Sequence, residues 1–144
     1  MPTVAELLAA GRIEEVAPDA AGARERLAEA KRHLVSAETL ATDDPPLAYV
    51  ALYDAARKAV TAHMLAQGLR VTNRPGAHEA VGLYALAVFD APTARLPVER
   101  FQTMRRIRNQ AEYGHQLLGA QMIESDLTHA TELVTIVARS LRSR

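Results

Sequence analysis

The segment from Arg105 to His115 holds the side chains of this chain that are best suited to phosphodiester chemistry. Within it lie three arginines, one asparagine and one histidine. If the segment is helical, Arg108 and His115 are about two turns apart and face the same way, roughly 10 Å from each other along the axis. Arginine offers a planar, permanently charged group for phosphate, and histidine titrates close to neutral pH. The spacing therefore predicts a site in which an anion is held between a fixed cation and a group that can give or take a proton.

The positive charge around this segment is local. The chain has 17 basic and 17 acidic residues, so its formal net charge is zero and the whole molecule cannot act as a nonspecific binder of nucleic acid. Between Arg100 and Arg108, however, there are four arginines and no acidic residue. This stretch predicts one anion-binding surface. The alternative interpretation, a solvated helix face that serves only solubility, stays open on these residues alone.

Composition limits the classes of protein to which the chain can belong. Its 144 residues fit a single domain over residues 1–144, large enough to bury about two-thirds of its unfolded surface. The absence of cysteine excludes thiol catalysis, iron–sulfur clusters and cysteine-ligated zinc. The N-terminus has neither a basic start nor a long apolar run, and no apolar stretch approaches the ~20 residues of a membrane span. We expect a soluble, cytoplasmic protein that does not associate with membranes.

The elements that position these residues are expected to be helices. The chain is rich in alanine and leucine and lacks the alternation of β-branched residues that strands need, so we predict an all-α bundle of about five to six helices. Helices are expected to begin near Thr3, Pro97 and Ser125 and to span approximately 19–42, 46–67 and 77–90. Residues 69–76 are expected to form a loop. The helix over 46–67 is apolar on nearly every side and should be the central one.

Other charged residues give weaker signals. Asp54 and Arg57 interrupt the apolar central helix, and they either pair structurally or support a cleft from beneath. Glu112 with His115 has the spacing of half a di-iron motif, but such a site needs further glutamates from other helices. The central helix offers only Asp54 for that purpose. We therefore predict no metal and no cofactor.

Four segments of the chain form a pattern that extends over most of its length. They read AYVALYDAARKA over 48–59, GLRV over 68–71, GAH over 76–78 and RNQAEY over 108–113. In this order they resemble the HEPN superfamily of small prokaryotic helical domains. The resemblance implies an up-and-down helical core. It also places His78 in the Gly-x-His turn of the family, where its default role is helix capping or loop packing and contact with RNA is the alternative.

The resemblance implies a function as well as a fold. Many HEPN domains are metal-independent endoribonucleases that act as homodimers, often as toxins paired with a minimal nucleotidyltransferase antitoxin. Their signature is an arginine, usually a polar residue next, and a histidine a few positions later. Arg108, Asn109 and His115 match this signature. In such proteins the motif typically lies at the homodimer interface, so that two copies build one cleft.

The implied reaction is attack of a ribose 2′-hydroxyl on its own 3′ phosphodiester. His115 would act as general base or acid, Arg108 would stabilise charge on the phosphoryl oxygens, and Asn109 would orient Arg108 or donate to phosphate. Arg105 and Arg106 would hold the RNA backbone without reading its sequence.

The sequence also departs from the commoner form of the family pattern. That form often has a tyrosine two positions after the histidine, where this chain has Leu117, and the nearby Tyr113 precedes the histidine. The run from Ala111 to Gly114 is similar to a branch in which the histidine is frequently missing. A noncatalytic HEPN module that binds a nucleotidyltransferase partner or a nucleotide is therefore the alternative prediction.

Overall fold

The computed structural model describes residues 1–112 and 118–143, and across these residues the chain forms a helical bundle with one short pair of strands. The helices are α1 (Val4–Ala9), α2 (Ala20–Leu40), α3 (Pro45–Ala66), α4 (Ala77–Val88), α5 (Arg95–Glu112) and α6 (Ala120–Arg142), and the strands are β1 (Ile13–Glu15) and β2 (Leu69–Val71). A 3₁₀ turn at Pro92–Ala94 leads into α5. The prediction of an all-α bundle is confirmed.

The first three helices begin at side chains that satisfy free backbone N–H groups. Thr3 and Glu6 form a capping box, in which the Glu6 N–H donates to Thr3 Oγ1 at 3.1 Å and the Thr3 N–H donates to Glu6 Oε1 at 3.2 Å. Asp19 and Asp44 each accept from the backbone N–H three residues further on. These caps explain why α2 and α3 begin within one residue of the predicted positions.

The helices α5 and α6 begin earlier than the sequence pattern predicts. α5 starts at Arg95 rather than near Pro97, because the preceding 3₁₀ turn continues directly into the helix. Pro97 then lies in the first turn, where its missing N–H is not needed. α6 starts at Ala120 rather than near Ser125, and the additional turn buries Ile123.

The two strands were not predicted. β1 and β2 are antiparallel, with Ile13 opposite Val71, and each has only three residues, too few to show a period of two. Gly68, which directly precedes β2, has a φ angle of +76°, which lets the chain reverse direction soon after the helix ends. A side chain there would meet the carbonyl oxygen of Val16 at 2.8 Å. The pairing therefore depends on a contact between distant segments.

Helix α3 is the centre of the bundle, as predicted, and it packs against α2, α4, α5 and α6. Its close approach to these neighbours is helped by small side chains, since five of the twelve residues it buries are alanines, namely Ala48, Ala55, Ala56, Ala59 and Ala62. Among the residues that the structure describes, no helix is long and apolar enough to cross a membrane.

Candidate anion-binding site

Two tyrosines of α3 bring polar groups into the bundle core. Tyr49 and Tyr53 are four residues apart, so they lie one above the other on the same side of the helix, and neither has any exposed surface. Tyr53 stacks on Phe101 of α5, with 5.5 Å between the ring centroids. Each hydroxyl lies near at least one arginine of α5. The two hydroxyls differ in how the charges around them are paired.

The first group consists of Tyr49, Arg100 and Asp126, which we call the Asp126 cluster. The Tyr49 hydroxyl donates to Asp126 Oδ2 at 2.6 Å, and Arg100 donates from two nitrogens to both oxygens of the same carboxylate at 2.7 and 2.8 Å. Asp126 is 1% exposed. Burial and the neighbouring carboxylate raise the pKa of Tyr49, so the phenol stays protonated. Every charge in this cluster is paired, which is typical of a structural role.

The second group surrounds Tyr53, and its members come from α3, α4 and α5. We refer to Tyr53, Asp54, Arg57, His78, Arg105 and Arg108 as the Tyr53 cluster. The imidazole of His78 lies beside the Tyr53 ring, with 6.0 Å between the centroids. The Tyr53 hydroxyl is buried and has no hydrogen-bond partner among the described residues. A buried donor without a partner is uncommon in native proteins.

Burial and the positive charges of the arginines together determine the electrostatics of the Tyr53 cluster. Burial raises the pKa of Tyr53 to about 12, and the positive charges of the cluster's three arginines act in the opposite direction. Partial burial lowers the pKa of His78 from its ordinary value, and Arg57 and Arg108 lower it further. Asp54 opposes this effect. At neutral pH the cluster therefore combines a protonated phenol, a neutral imidazole and several fixed cations.

The carboxylate of Asp54 only partly balances these cations. Its Oδ1 lies 3.7 Å from Arg57 Nε, an ion pair that is too long for a good hydrogen bond. The Nε atoms of Arg57 and Arg105 are buried without a hydrogen-bond partner among the described residues. The described members of this cluster thus include three guanidinium groups and one carboxylate, which pairs with Arg57. Such an arrangement suits an anion.

The neighbouring arginines Arg105, Arg106 and Arg108 do not all lie on the same side of α5. Arg105 and Arg108 are three residues apart on α5, and both are partly buried on the side that faces Tyr53. Arg106 is exposed on an adjoining side of the helix. Asn109 is also exposed, and its Oδ1 accepts a hydrogen bond from Arg108 at 3.3 Å. Arg108 and Asn109 are therefore in contact, which is compatible with one of the two roles predicted for Asn109, the orientation of Arg108.

Two of the predicted residues, Tyr113 and His115, lie outside the described residues. His78 does not cap α4, because that helix begins after Gly76 and its N-terminus has no side-chain cap. Tyr53 is not among the site residues that the sequence predicted. Its position four residues before Arg57, on one side of the helix, is the sequence signal that links it to the site.

A separate cleft of about 620 Å³ lies near the C-terminal end of α3. Its lining includes His63 and Tyr84, and the Nδ1 atom of His63 lies 2.8 Å from the Tyr84 hydroxyl. None of its described lining residues is an arginine or a lysine. The cleft therefore lacks the positive charge that a phosphate site needs.

Metal ligation has no support in the part of the chain that the structure describes. No group of three or more histidine, aspartate or glutamate side chains there is close enough to hold a metal ion. Both carboxylate oxygens of Asp126 are already engaged by Tyr49 and Arg100. The Tyr53 cluster, by contrast, has three arginines and one carboxylate among its described members.

Comparison with known proteins gives no match. No family model, no curated protein and no solved structure matches the chain. The resemblance to HEPN domains therefore rests on the four sequence segments quoted above.

Proposed function

We propose that this chain is a HEPN-type endoribonuclease that cleaves RNA without a metal ion and acts as a homodimer. The observation that supports this proposal most is that three arginines surround Tyr53 and that one of them, Arg108, contacts Asn109. In HEPN nucleases the residues that match Arg108, Asn109 and His115 belong to the catalytic motif. Positive charge is thus concentrated where the family pattern expects RNA.

The arginines supply contacts to the RNA backbone. Each RNA phosphodiester carries one negative charge, and a guanidinium group can bind two of its oxygens at once. Arg105 and Arg108 face the same side of α5 and can engage neighbouring phosphates without reading the bases. Arg106 is on an adjoining, exposed side, where it contributes only longer-range attraction. The predicted result is binding that depends on salt and little on sequence.

The chemical step needs no metal, because the nucleophile is part of the substrate. The ribose 2′-oxygen forms a bond to the adjacent phosphorus as the bond to the 5′-oxygen breaks, which leaves a 2′,3′-cyclic phosphate and a 5′-hydroxyl. One proton leaves the 2′-hydroxyl and one is delivered to the 5′-oxygen. His115 transfers one of these protons, and in a homodimer the second copy offers a second His115. Arg108 stabilises the charge that develops on the phosphoryl oxygens.

The second candidate is a noncatalytic HEPN module that binds a nucleotide or a nucleotidyltransferase antitoxin. It is favoured by the composition of the Tyr53 cluster, because arginines can hold an anion without any contribution from His115. The presence of Leu117 in place of the family tyrosine also fits this candidate.

The direct test is cleavage of single-stranded RNA by the purified chain in EDTA, with analysis of the product ends. We expect cyclic phosphate ends, and rates at least about 100-fold lower for His115→Ala, because general acid–base catalysis is worth that much or more. Arg108→Ala should lose activity similarly. Arg24→Ala, which removes an exposed arginine of α2, is the matched control and should cleave normally.

Two results would contradict the nuclease. In the first, the wild type leaves RNA intact, and binding of RNA or a nucleotide without cleavage would then favour the second candidate. In the second, folded His115→Ala and Arg108→Ala variants cleave as fast as the wild type.

A further inference from the structure

His78 and Tyr53 have no role in the function proposed above, yet both belong to the Tyr53 cluster. We propose that these two side chains contact the phosphate group that the arginines hold, so that α3, α4 and α5 together form one phosphate subsite. The inference rests on the proposed function for its ligand class, the phosphate groups of RNA. It does not require that the chain cleaves RNA.

The hydroxyl of Tyr53 provides the first reason. It is buried and has no hydrogen-bond partner among the described residues, whereas the hydroxyl of Tyr49 has one. A phenylalanine would fill the same space without leaving a buried donor unsatisfied. With its pKa raised to about 12, Tyr53 remains a donor over the whole physiological range. An anionic oxygen is the partner that such a donor suits.

The position of His78 provides the second reason. His78 is on the solvent-exposed first turn of α4, beside the Tyr53 ring, so its imidazole can meet a ligand that enters from solvent. The charges that act on it are those of Arg57, Arg105 and Arg108, opposed only by Asp54 among the groups that influence it most. In the free protein this environment disfavours the imidazolium form.

Bound phosphate should reverse this effect. A negative charge placed between His78 and the arginines stabilises the imidazolium and raises the pKa of His78. By linkage, protonation of His78 must strengthen phosphate binding by the same factor. His33 on α2, for which Asp54 is the one member of the cluster among the groups that influence its pKa most, should respond much less than His78.

The experiment is a pH titration of the histidine side chains by NMR on the full chain, with and without a 2′-O-methyl oligoribonucleotide. This probe has the phosphates of RNA but cannot be cleaved. Potassium chloride at equal ionic strength is the reference, and His78→Gln assigns the resonance. We expect the ligand to raise the pKa of His78 by about one unit, equivalent to about tenfold tighter binding to the protonated form, and to change that of His33 much less.

The role of Tyr53 is tested by the affinity of the same oligonucleotide. Tyr53→Phe should bind about tenfold more weakly, as expected for loss of a hydrogen bond to a charged group. Tyr49→Phe is the matched control, since it removes a hydroxyl of the Asp126 cluster, and its folded form should bind like the wild type. An unchanged pKa of His78 at saturation, equal affinity of Tyr53→Phe, or no binding at all would overturn the subsite.

These outcomes are distinguishable from failure of the proposed function. If wild type cleaves RNA while the pKa of His78 does not respond to the probe, the nuclease stands and the subsite is wrong. If wild type leaves RNA intact while the pKa of His78 rises with the probe, the subsite stands and the nuclease is wrong.

Discussion

The Asp126 cluster and the Tyr53 cluster are built from similar parts one helical turn apart. Each has a buried tyrosine of α3 near an arginine of α5. In the Asp126 cluster, α6 contributes a carboxylate that accepts three hydrogen bonds. In the Tyr53 cluster, the described residues include only Asp54, at 3.7 Å from Arg57. The comparison teaches that the same pair of helices forms a structural contact where α6 supplies a carboxylate, and an arginine-rich site where the described residues supply only Asp54.

The two clusters should therefore differ in what their residues contribute. Removing a partner from the Asp126 cluster leaves a buried charge or donor unsatisfied, and the cost appears as lost stability. Removing an arginine from the Tyr53 cluster relieves repulsion between like charges, and removing the Tyr53 hydroxyl removes a buried donor that has no partner among the described residues. In both cases the cost appears as lost binding. Such a division between stability and function is what functional sites commonly show.

The largest difference is expected for the two carboxylates. Asp126→Asn should lower the free energy of unfolding by about 3 kcal/mol, because it leaves Arg100 without its partner inside the bundle. The partial exposure of Arg100 places this value at the low end of the range for buried ion pairs. Asp54→Asn is the matched control and should cost less than about 1 kcal/mol, as for other partly exposed ion pairs. Urea unfolding measures the free energy of unfolding of both variants. Equal losses would contradict the view that only the Asp126 cluster has a structural role.

The second difference concerns the two tyrosines. Tyr49→Phe should lower the free energy of unfolding by about 1.5 kcal/mol, since it removes a hydrogen bond to a charged group. Tyr53→Phe should change it by less than about 0.5 kcal/mol or increase it, because the hydroxyl that is lost had no partner. The same unfolding experiment applies. A greater loss for Tyr53→Phe than for Tyr49→Phe would mean that the Tyr53 hydroxyl has a structural partner.

The smallest difference is expected in the pH dependence of stability. The pKa of His78 is lowered in the folded protein, so the unfolded chain binds more protons just below the ordinary value of 6.5. The free energy of unfolding should therefore fall as the pH decreases below about 6.5. His78→Gln should reduce this slope, and so should His33→Gln, since burial and Lys58 also lower the pKa of His33.

The Asp126 cluster contains no histidine, which makes it the control for this prediction. Tyr49→Phe should lower stability without altering the slope between pH 5 and 7, where its phenol does not titrate. Unfolding curves collected across this range test the difference. A steeper slope for His78→Gln than for the wild type would mean that His78 gains, rather than loses, affinity for protons on folding.

Much of the fold follows from patterns that are local in sequence. The apolar character of the 46–67 segment predicted the central helix, and the Asp19 and Asp44 caps explain where two helices begin. The strands could not be predicted, because three-residue strands depend on pairing between segments more than 50 residues apart. The early start of α6 similarly depends on burial of Ile123 by the rest of the bundle.

The candidate site was only partly predictable for the same reason. Arg105 and Arg108 follow from spacing on one helix, and their separation from Arg106 follows from the helical period. That His78 of α4 would lie beside Tyr53 of α3 depends on how the helices pack. The role of Asp126 as the partner of Arg100 is likewise a tertiary contact, and its position on an otherwise amphipathic helix did not indicate it.

The measurement that decides most is the affinity of a 2′-O-methyl oligoribonucleotide for the wild type, Arg105→Gln and Arg106→Gln at several salt concentrations. These two arginines are neighbours on α5, but only Arg105 faces the Tyr53 cluster. Arg105→Gln should weaken binding about tenfold and reduce the slope of log affinity against log salt by about 0.7, the loss of one phosphate contact. Arg106→Gln should weaken binding less than about threefold. Equal losses for the two variants would contradict a phosphate site at the Tyr53 cluster and favour general attraction to the surface of α5.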